Sequence, residues 1–286
     1  MKTIRSISAV VATSLMLIPM VSLAGSQPNP EQDLKAFRQY FEQRFPNTPF
    51  KDFSNGSFAK GIGSPGAISQ WQSMEEFPPY DFAVAKGKKL FNTPFPNGKT
   101  YASCFPHGGI GIAQNYPYVN NKTGQVVTIE TAINACREKN GLKPLPWLKG
   151  DLADISAYMF STSDGKAVNV KTPSTPAELK AYETGKKIFY TRRGKLDMSC
   201  AGCHTYHSGQ RLRAQTISPT LGLVVSFPAY RAKWGALGTI DRRFIGCNKN
   251  TQAKPFKPQS TEYRDLQYFL TYMSNGLPIN APQWRP

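Results

Sequence analysis

The chain carries one pattern twice, in the same order. AVAKGKKLF (83–91), SCFPHGG (103–109), TAINAC (131–136) and DISAYM (154–159) are followed by AYETGKKIF (181–189), SCAGCHTYH (199–207), DRRFIGC (241–247) and DLQYFL (265–270). Cys136 stands 18 residues before Asp154, and Cys247 stands 18 residues before Asp265. Cys136 is therefore the counterpart of Cys247, and Cys104 of Cys200. A duplicated unit fixes the architecture before any single element is read. In the second copy Ala181, Gly185, Ile188 and Phe189 fall near one helical face, as do Tyr263, Leu266, Phe269 and Leu270, so each copy is expected to open and close with a helix. The Gly- and Pro-rich stretches between, such as 205–230, show little strand alternation and suit wrapping a cofactor.

The flanks divide the rest. Lys2 and Arg5, an apolar run from Ile7 to Val21, and Ser22-Leu23-Ala24 form the pattern of a secretory leader, placing cleavage after Ala24. The run is too short to span a bilayer, which takes about 20 residues. Residues 25–78 are read as an N-terminal extension, with an amphipathic helix over 30–46 (Leu34, Phe37, Tyr40, Phe41, Phe45) and irregular chain over 48–80. The first repeat unit is assigned to 79–165, the second to 174–286, and STSDGKAVNVKTPSTP (161–176) links them. Ser174 and Pro176 before Glu178 mark a helix start. Losing Lys2 and Arg5 with the leader lowers the formal charge from +17 to +15. An exported chain with scattered basic residues points to an anionic substrate or acidic protein partner in the periplasm and away from nucleic acid. Export also places the five cysteines where disulfides persist. Five is odd, so at least one has another task.

Cys200-Ala-Gly-Cys203-His204 is the strongest local signal. Two thiols followed by a histidine allow thioether attachment of a haem while the imidazole reaches its iron. A zinc centre of Cys200, Cys203, His204 and His207 fits less well, because adjacent ligands are awkward around one tetrahedral ion. The first copy offers only Cys104-Phe105-Pro106-His107 at the matching place and should carry no haem. The fold expected is mainly α: two tandem cytochrome c-like domains related by the repeat, the first haem-less, plus the extension. For the iron's other face Met273, His207 and Cys247 compete. Met273 lies 69 residues after His204, a workable spacing, but sits among packing residues Phe269 and Tyr272. His207 is too close in sequence to His204 to reach round the ring. Cys247 has Arg242 and Arg243 before it, and positive charge favours its thiolate.

RFPNTPFKDFSNG (44–56), EEFPPYDFAVAKGKKLF (75–91), VVTIETAINAC (126–136), the CAGCH motif and Arg243 four residues before Cys247 together resemble the SoxA family, the cytochrome subunits of L-cysteine S-thiosulfotransferases, over nearly the whole mature chain. Departure from the two-haem members at 104–108 matches the single-haem type. The resemblance implies one covalent haem c on Cys200 and Cys203, axial ligands His204 and Cys247, and a Cys104–Cys136 disulfide. It implies that Cys247 is also the catalytic sulfur, found as a persulfide, and that Arg243 binds the substrate anion. It implies an enzyme that joins thiosulfate to a cysteine of the SoxYZ carrier, with electrons leaving through haem to a small SoxX subunit in a heterodimer. From the residues alone the alternative is a basic electron-transfer cytochrome with Met273 as distal ligand.

Overall fold

Helix boundaries follow the capping chemistry of the sequence in the computed structural model, which describes residues 28–286; the leader expected over 1–24 lies outside them. Helix α1 (Pro30–Arg44) starts where the Asn29 side chain accepts from the Gln32 N–H and Pro30 pre-sets the first turn. Ser64 caps α2 (Pro65–Glu76) in the same way. Helix α3 (Asp81–Asn92) opens the first repeat copy. A capping box of Thr128 and Thr131 starts α4 (Ile129–Lys139), and α5 (Asp151–Ser161) closes that copy. A second capping box, Thr175 with Glu178, starts α6 (Pro176–Tyr190), so the cap is Thr175 and not the neighbouring Ser174. Helices α7 (Ile240–Asn250) and α8 (Thr261–Tyr272) complete the second copy.

Two readings of irregular chain are corrected. Residues 48–80 contain a 3₁₀ segment, Phe50–Phe58, and α2 itself. Helix α2 buries none of its residues fully, and only Ala67, Trp71 and Met74 lean on the small cluster around Phe58 and Trp284, so its apolar stripe is weak. The wrapping segments also hold short strands. β1 (Tyr118–Asn120) pairs with β2 (Gln125–Val127), and β3 (Arg211–Leu212) with β4 (Gln215–Thr216). β5 (Ala229–Arg231) is central between antiparallel β6 (Ala236–Gly238) and parallel β7 (Gln283–Arg285). Strands of two or three residues are too short to display a period of two.

The repeat is visible as packing. Helix α3 crosses α5 in the first half, and α6 crosses α8 in the second. The crossing is close because a glycine sits at the same repeat position in each. A Cβ on Gly87 would run into the Asp154 carbonyl, and one on Gly185 into the Asp265 carbonyl and, at 2.7 Å, the Phe269 Cβ. Space, and not an unusual φ, demands glycine here. The aromatic pair beside each crossing is also conserved in place: Phe91 with Tyr158 at 5.4 Å, and Phe189 with Phe269 at 5.6 Å. Glu130 and Asp241, second residues of α4 and α7, are both buried. One continuous apolar core joins the halves, with Thr239 Oγ1 donating to the Trp147 carbonyl at 2.9 Å. Helix α1 braces the second half. Arg44 donates to the Ser208 carbonyl at 2.9 Å, Arg38 to the Asn275 carbonyl at 2.6 Å, and Asp33 accepts from the Tyr182 hydroxyl at 2.7 Å.

The halves differ in charge at one matched position. In the first, Lys86 bonds Asp154 at 3.0 Å and Asp151 at 2.7 Å. In the second, Thr184 stands where Lys86 does, and burial pushes the Asp265 carboxyl up to about 7, with Arg264 pulling it back only in part. The folded-state value lies above the unfolded one of about 4. Asp265 therefore favours the fold below pH ~4 and loses that advantage as the pH rises through 7. Thr184→Lys should raise the melting temperature at pH 8, by a pair stabilisation of about 1 kcal/mol, and give no gain at pH 4; calorimetry at the two pH values checks this. Gly185→Ala should cost about 1–3 kcal/mol through overpacking, whereas Gly66→Ala, whose Cβ meets nothing within 4 Å, should be neutral or stabilising.

Candidate functional site

The attachment motif lies on a short helical segment, residues 200–206, whose turn Gly202–Tyr206 is π-helical. It is tied to the following loop by the Thr220 N–H, which donates to the His204 carbonyl at 2.8 Å, and by the Thr205 and Thr220 hydroxyls, 3.0 Å apart. His204 Nδ1 lies 2.9 Å from the Ser218 carbonyl, an acceptor, so Nδ1 carries the proton and Nε2 keeps its lone pair. Cys200 and Cys203 are half-buried free thiols. Burial pushes the Cys200 thiol up to about 12, with Cys247 and Cys203 as its nearest thiol neighbours.

Cys247 comes from α7, across from the motif, and the His204 imidazole faces it. It is half-buried, and protein surrounds it closely enough that burial pushes its pKa up. The Arg243 guanidinium, the facing imidazole and Arg231 outweigh that and bring the thiol down to about 7. Two thiols of one site are thus held in opposite states, Cys200 neutral and Cys247 ready to ionise. Arg243 lies one helical turn before Cys247 on the same face, and its charge also reaches Cys203. Arg242 turns elsewhere, stacking on Trp234 at 4.3 Å.

The donor set fits a covalently held haem. Two unpaired thiols at the required spacing flank an imidazole with a free nitrogen, and a sulfur with thiolate character faces that nitrogen from another helix. His207 is not part of the arrangement: it is exposed and its Nδ1 lies 3.1 Å from Gln210 Oε1. Met273 is buried in the core at the end of α8. In the first half Cys104 and Cys136, counterparts of Cys200 and Cys247, are joined in a disulfide with Cα atoms 5.7 Å apart. His107, beside them, is exposed. The positions that face each other across the second half are closed onto each other in the first.

Sequence reasoning had no means of finding two parts of this site. The Ser218 carbonyl is a backbone group, invisible in side-chain patterns. Arg231 is a lone arginine on a three-residue strand, 16 residues from Cys247. Only the β5–β6 hairpin, which runs into α7, brings it near the thiol.

A family description, the SoxA/TsdA cytochrome c domain, matches residues 86–168 and 184–279. The chain is 50% identical over 276 residues to the L-cysteine S-thiosulfotransferase subunit SoxA of Chlorobaculum tepidum, covering 96% of this chain and 95% of that one. It is 47% identical over 254 residues to the subunit of the same name from Allochromatium vinosum, covering 88% and 89%. Among solved structures, the SoxXA crystal structure from P. pantotrophus aligns with a TM-score of 0.70 at 32% identity, over 76% of this chain and 84% of that chain.

The disulfide closes a loop with a sequence separation of 32. Replacing Cys104 and Cys136 together by serine should cost roughly 3–4 kcal/mol on the chain-entropy estimate. Denaturant titration should report that loss, while the visible absorption spectrum of the haem-loaded protein stays as in the wild type.

Proposed function

The chain belongs to the SoxA family of L-cysteine S-thiosulfotransferase subunits, and on that premise we propose that it joins thiosulfate oxidatively to a cysteine of a SoxYZ-type carrier protein in the periplasm. The single observation that carries this reading is the Cys247 thiol facing the His204 imidazole, with the Arg243 guanidinium, which has no ion-pair partner among the described residues, one helical turn away. Residues 79–165 form the haem-less cytochrome c-like domain and 174–286 the haem domain, in which Cys200 and Cys203 would hold one haem c and His204 and Cys247 would ligate its iron. The likeness to a SoxXA complex supports a small SoxX-type cytochrome as partner subunit in a heterodimer.

The residues divide the work. Thiosulfate is a dianion whose sulfonate oxygens match the paired donors of a planar guanidinium, and Arg243 makes no hydrogen bond or ion pair among the described residues, so its donors are available. Holding the sulfonate there turns the outer sulfur toward Cys247. The Cys247 sulfur, ionised near neutral pH or carrying an extra sulfur, handles the substrate sulfur before transfer to the carrier thiol. In the net change a carrier thiol and thiosulfate become one sulfur–sulfur bond, releasing one proton and two electrons. The haem, when bound, supplies the outlet for those electrons. The core residues around α7 fix Cys247 opposite His204, so the sulfur is presented without needing a mobile loop.

Intact mass of the mature protein should report leader removal, one haem and any extra sulfur. Arg243→Ala should keep haem and fold but lower thiosulfate turnover roughly 10- to 150-fold, the range for a lost charged hydrogen bond. Cys247→Met should keep a six-coordinate haem of raised potential and abolish transfer, since a thioether ligates iron but forms no sulfur–sulfur bond. If Met273→Leu alters the ferric spectrum while Cys247→Ser leaves spectrum and turnover intact, the chain is a simple electron carrier.

A further inference from the structure

Glu130, the second residue of α4, lies in the core with 2% of its surface exposed. Its Oε1 accepts from the Ser156 hydroxyl of α5 at 3.1 Å, which ties the side chain to the first half. Its Oε2 makes no hydrogen bond among the described residues.

A cavity of about 20 Å³ opens against Glu130 at the seam between the halves. Tyr116 and Phe160 line it from the first half, and Ile240 of α7 with Gln267 and Thr271 of α8 line it from the second. Every residue around it is buried. Gln267 brings a second oxygen, Oε1, that has no hydrogen-bond partner among the described residues. The Thr271 hydroxyl spends its hydrogen on the Gln267 main-chain oxygen at 2.7 Å and keeps its lone pairs.

A buried oxygen left without a partner carries the full cost of its desolvation. Here two such oxygens, one from each half, belong to residues that border the same small space. Burial pushes the Glu130 carboxyl up, so its Oε2 can donate as well as accept. Gln267 Oε1 and the Thr271 lone pairs only accept. A molecule that fills the space must therefore give hydrogens to some neighbours and be able to take one from another. Water does both, and a single molecule needs roughly 10–15 Å³. A metal ion fits poorly, since calcium takes about six to eight oxygen ligands and magnesium an octahedron, whereas most of the remaining wall is hydrocarbon.

We propose that the cavity binds one water molecule, which hydrogen-bonds Glu130 of α4 and Gln267 of α8 and so joins the haem-less half to the second half inside their shared core. With Thr271 as third partner the water reaches the usual number of bonds for a buried site, about three. The bridge lands on α8, one of the two helices of the second crossing, so it ties α4 to the wall on which the other half is built. The proposal is independent of the transferase reading.

The test is a crystal structure of the haem-loaded protein at a resolution that shows ordered water. One isolated peak is expected in the cavity, roughly 2.6–3.0 Å from Glu130 Oε2 and from Gln267 Oε1. An empty cavity, or a direct bond from Glu130 to Gln267 that closes it, overturns the proposal. A peak about 2.4 Å from both oxygens and ringed by further oxygen ligands overturns it in favour of a cation. In variants, Glu130→Gln should keep the peak, and Gln267→Met, close in size but lacking the oxygen, should lose it and lower the melting temperature by a few degrees. Combining Gln267→Met with Glu130→Met should lower it by less than the sum of the two single changes, because the bridge is already gone after the first. Strict additivity overturns the bridge, and if Glu130→Met does not fold, the wild-type and Gln267→Met structures decide.

Discussion

The closeness of one helix crossing, used twice, governs the layout of this protein. Where α3 meets α5 and α6 meets α8, glycine lets one backbone lie against the other, and the aromatic pairs Phe91–Tyr158 and Phe189–Phe269 fill the space alongside. Hydrophobic burial alone would tolerate many helix arrangements; a crossing at backbone distance fixes the pair as a unit. Each pair then serves as a wall, and the remaining chain of its half is laid against it. Helices α4 and α7, and with them Cys136 and Cys247, are located by those walls.

On this common frame the two halves have diverged at their paired cysteines. In one, the facing positions carry a covalent sulfur bridge, and the space between them is closed. In the other, an imidazole pinned through its Nδ1 and a thiol drawn toward ionisation by arginines look at each other across the same place. The first half keeps the frame of the second without its facing imidazole and free thiol. What it contributes is support: Trp147 receives the Thr239 hydroxyl at the start of α7, and Thr128 of the first half bonds Gln259 of the second at 2.9 Å.

The sequence disclosed what depends on side-chain identity at fixed spacing. The duplicated order, the attachment motif, the helix before the repeats, the helices that open and close each copy and the shared face of Arg243 and Cys247 could all be read from residue types, because helices write a period of 3.6 and cysteines mark their tasks. Helix α2 was missed because Ile68, Trp71 and Met74 are its only large apolar side chains and none is fully buried. The strands were missed because three residues are too few to alternate. Arg231 was missed for a different reason. Its proximity to the thiol is created by the β5–β6 hairpin that runs into α7, and strands of three residues leave no trace of that turn in local composition. The Ser218 carbonyl that sets the His204 tautomer belongs to the backbone, which every sequence shares.

Helix α1 carries a kinetic implication. Its anchors are far along the chain: Arg44 reaches Ser208, a separation of 164, and Arg38 reaches Asn275, a separation of 237. A ribosome makes the helix early and its partners late. Fifteen residues of helix are marginal alone in water, so this segment has little to hold it until most of the polypeptide has followed. Long-range closure of this kind raises contact order and slows folding. The brace that completes the second half is then among the last elements to settle. Until it does, Phe37 and Phe41, which end up buried, remain in water and available to chaperones or to aggregation.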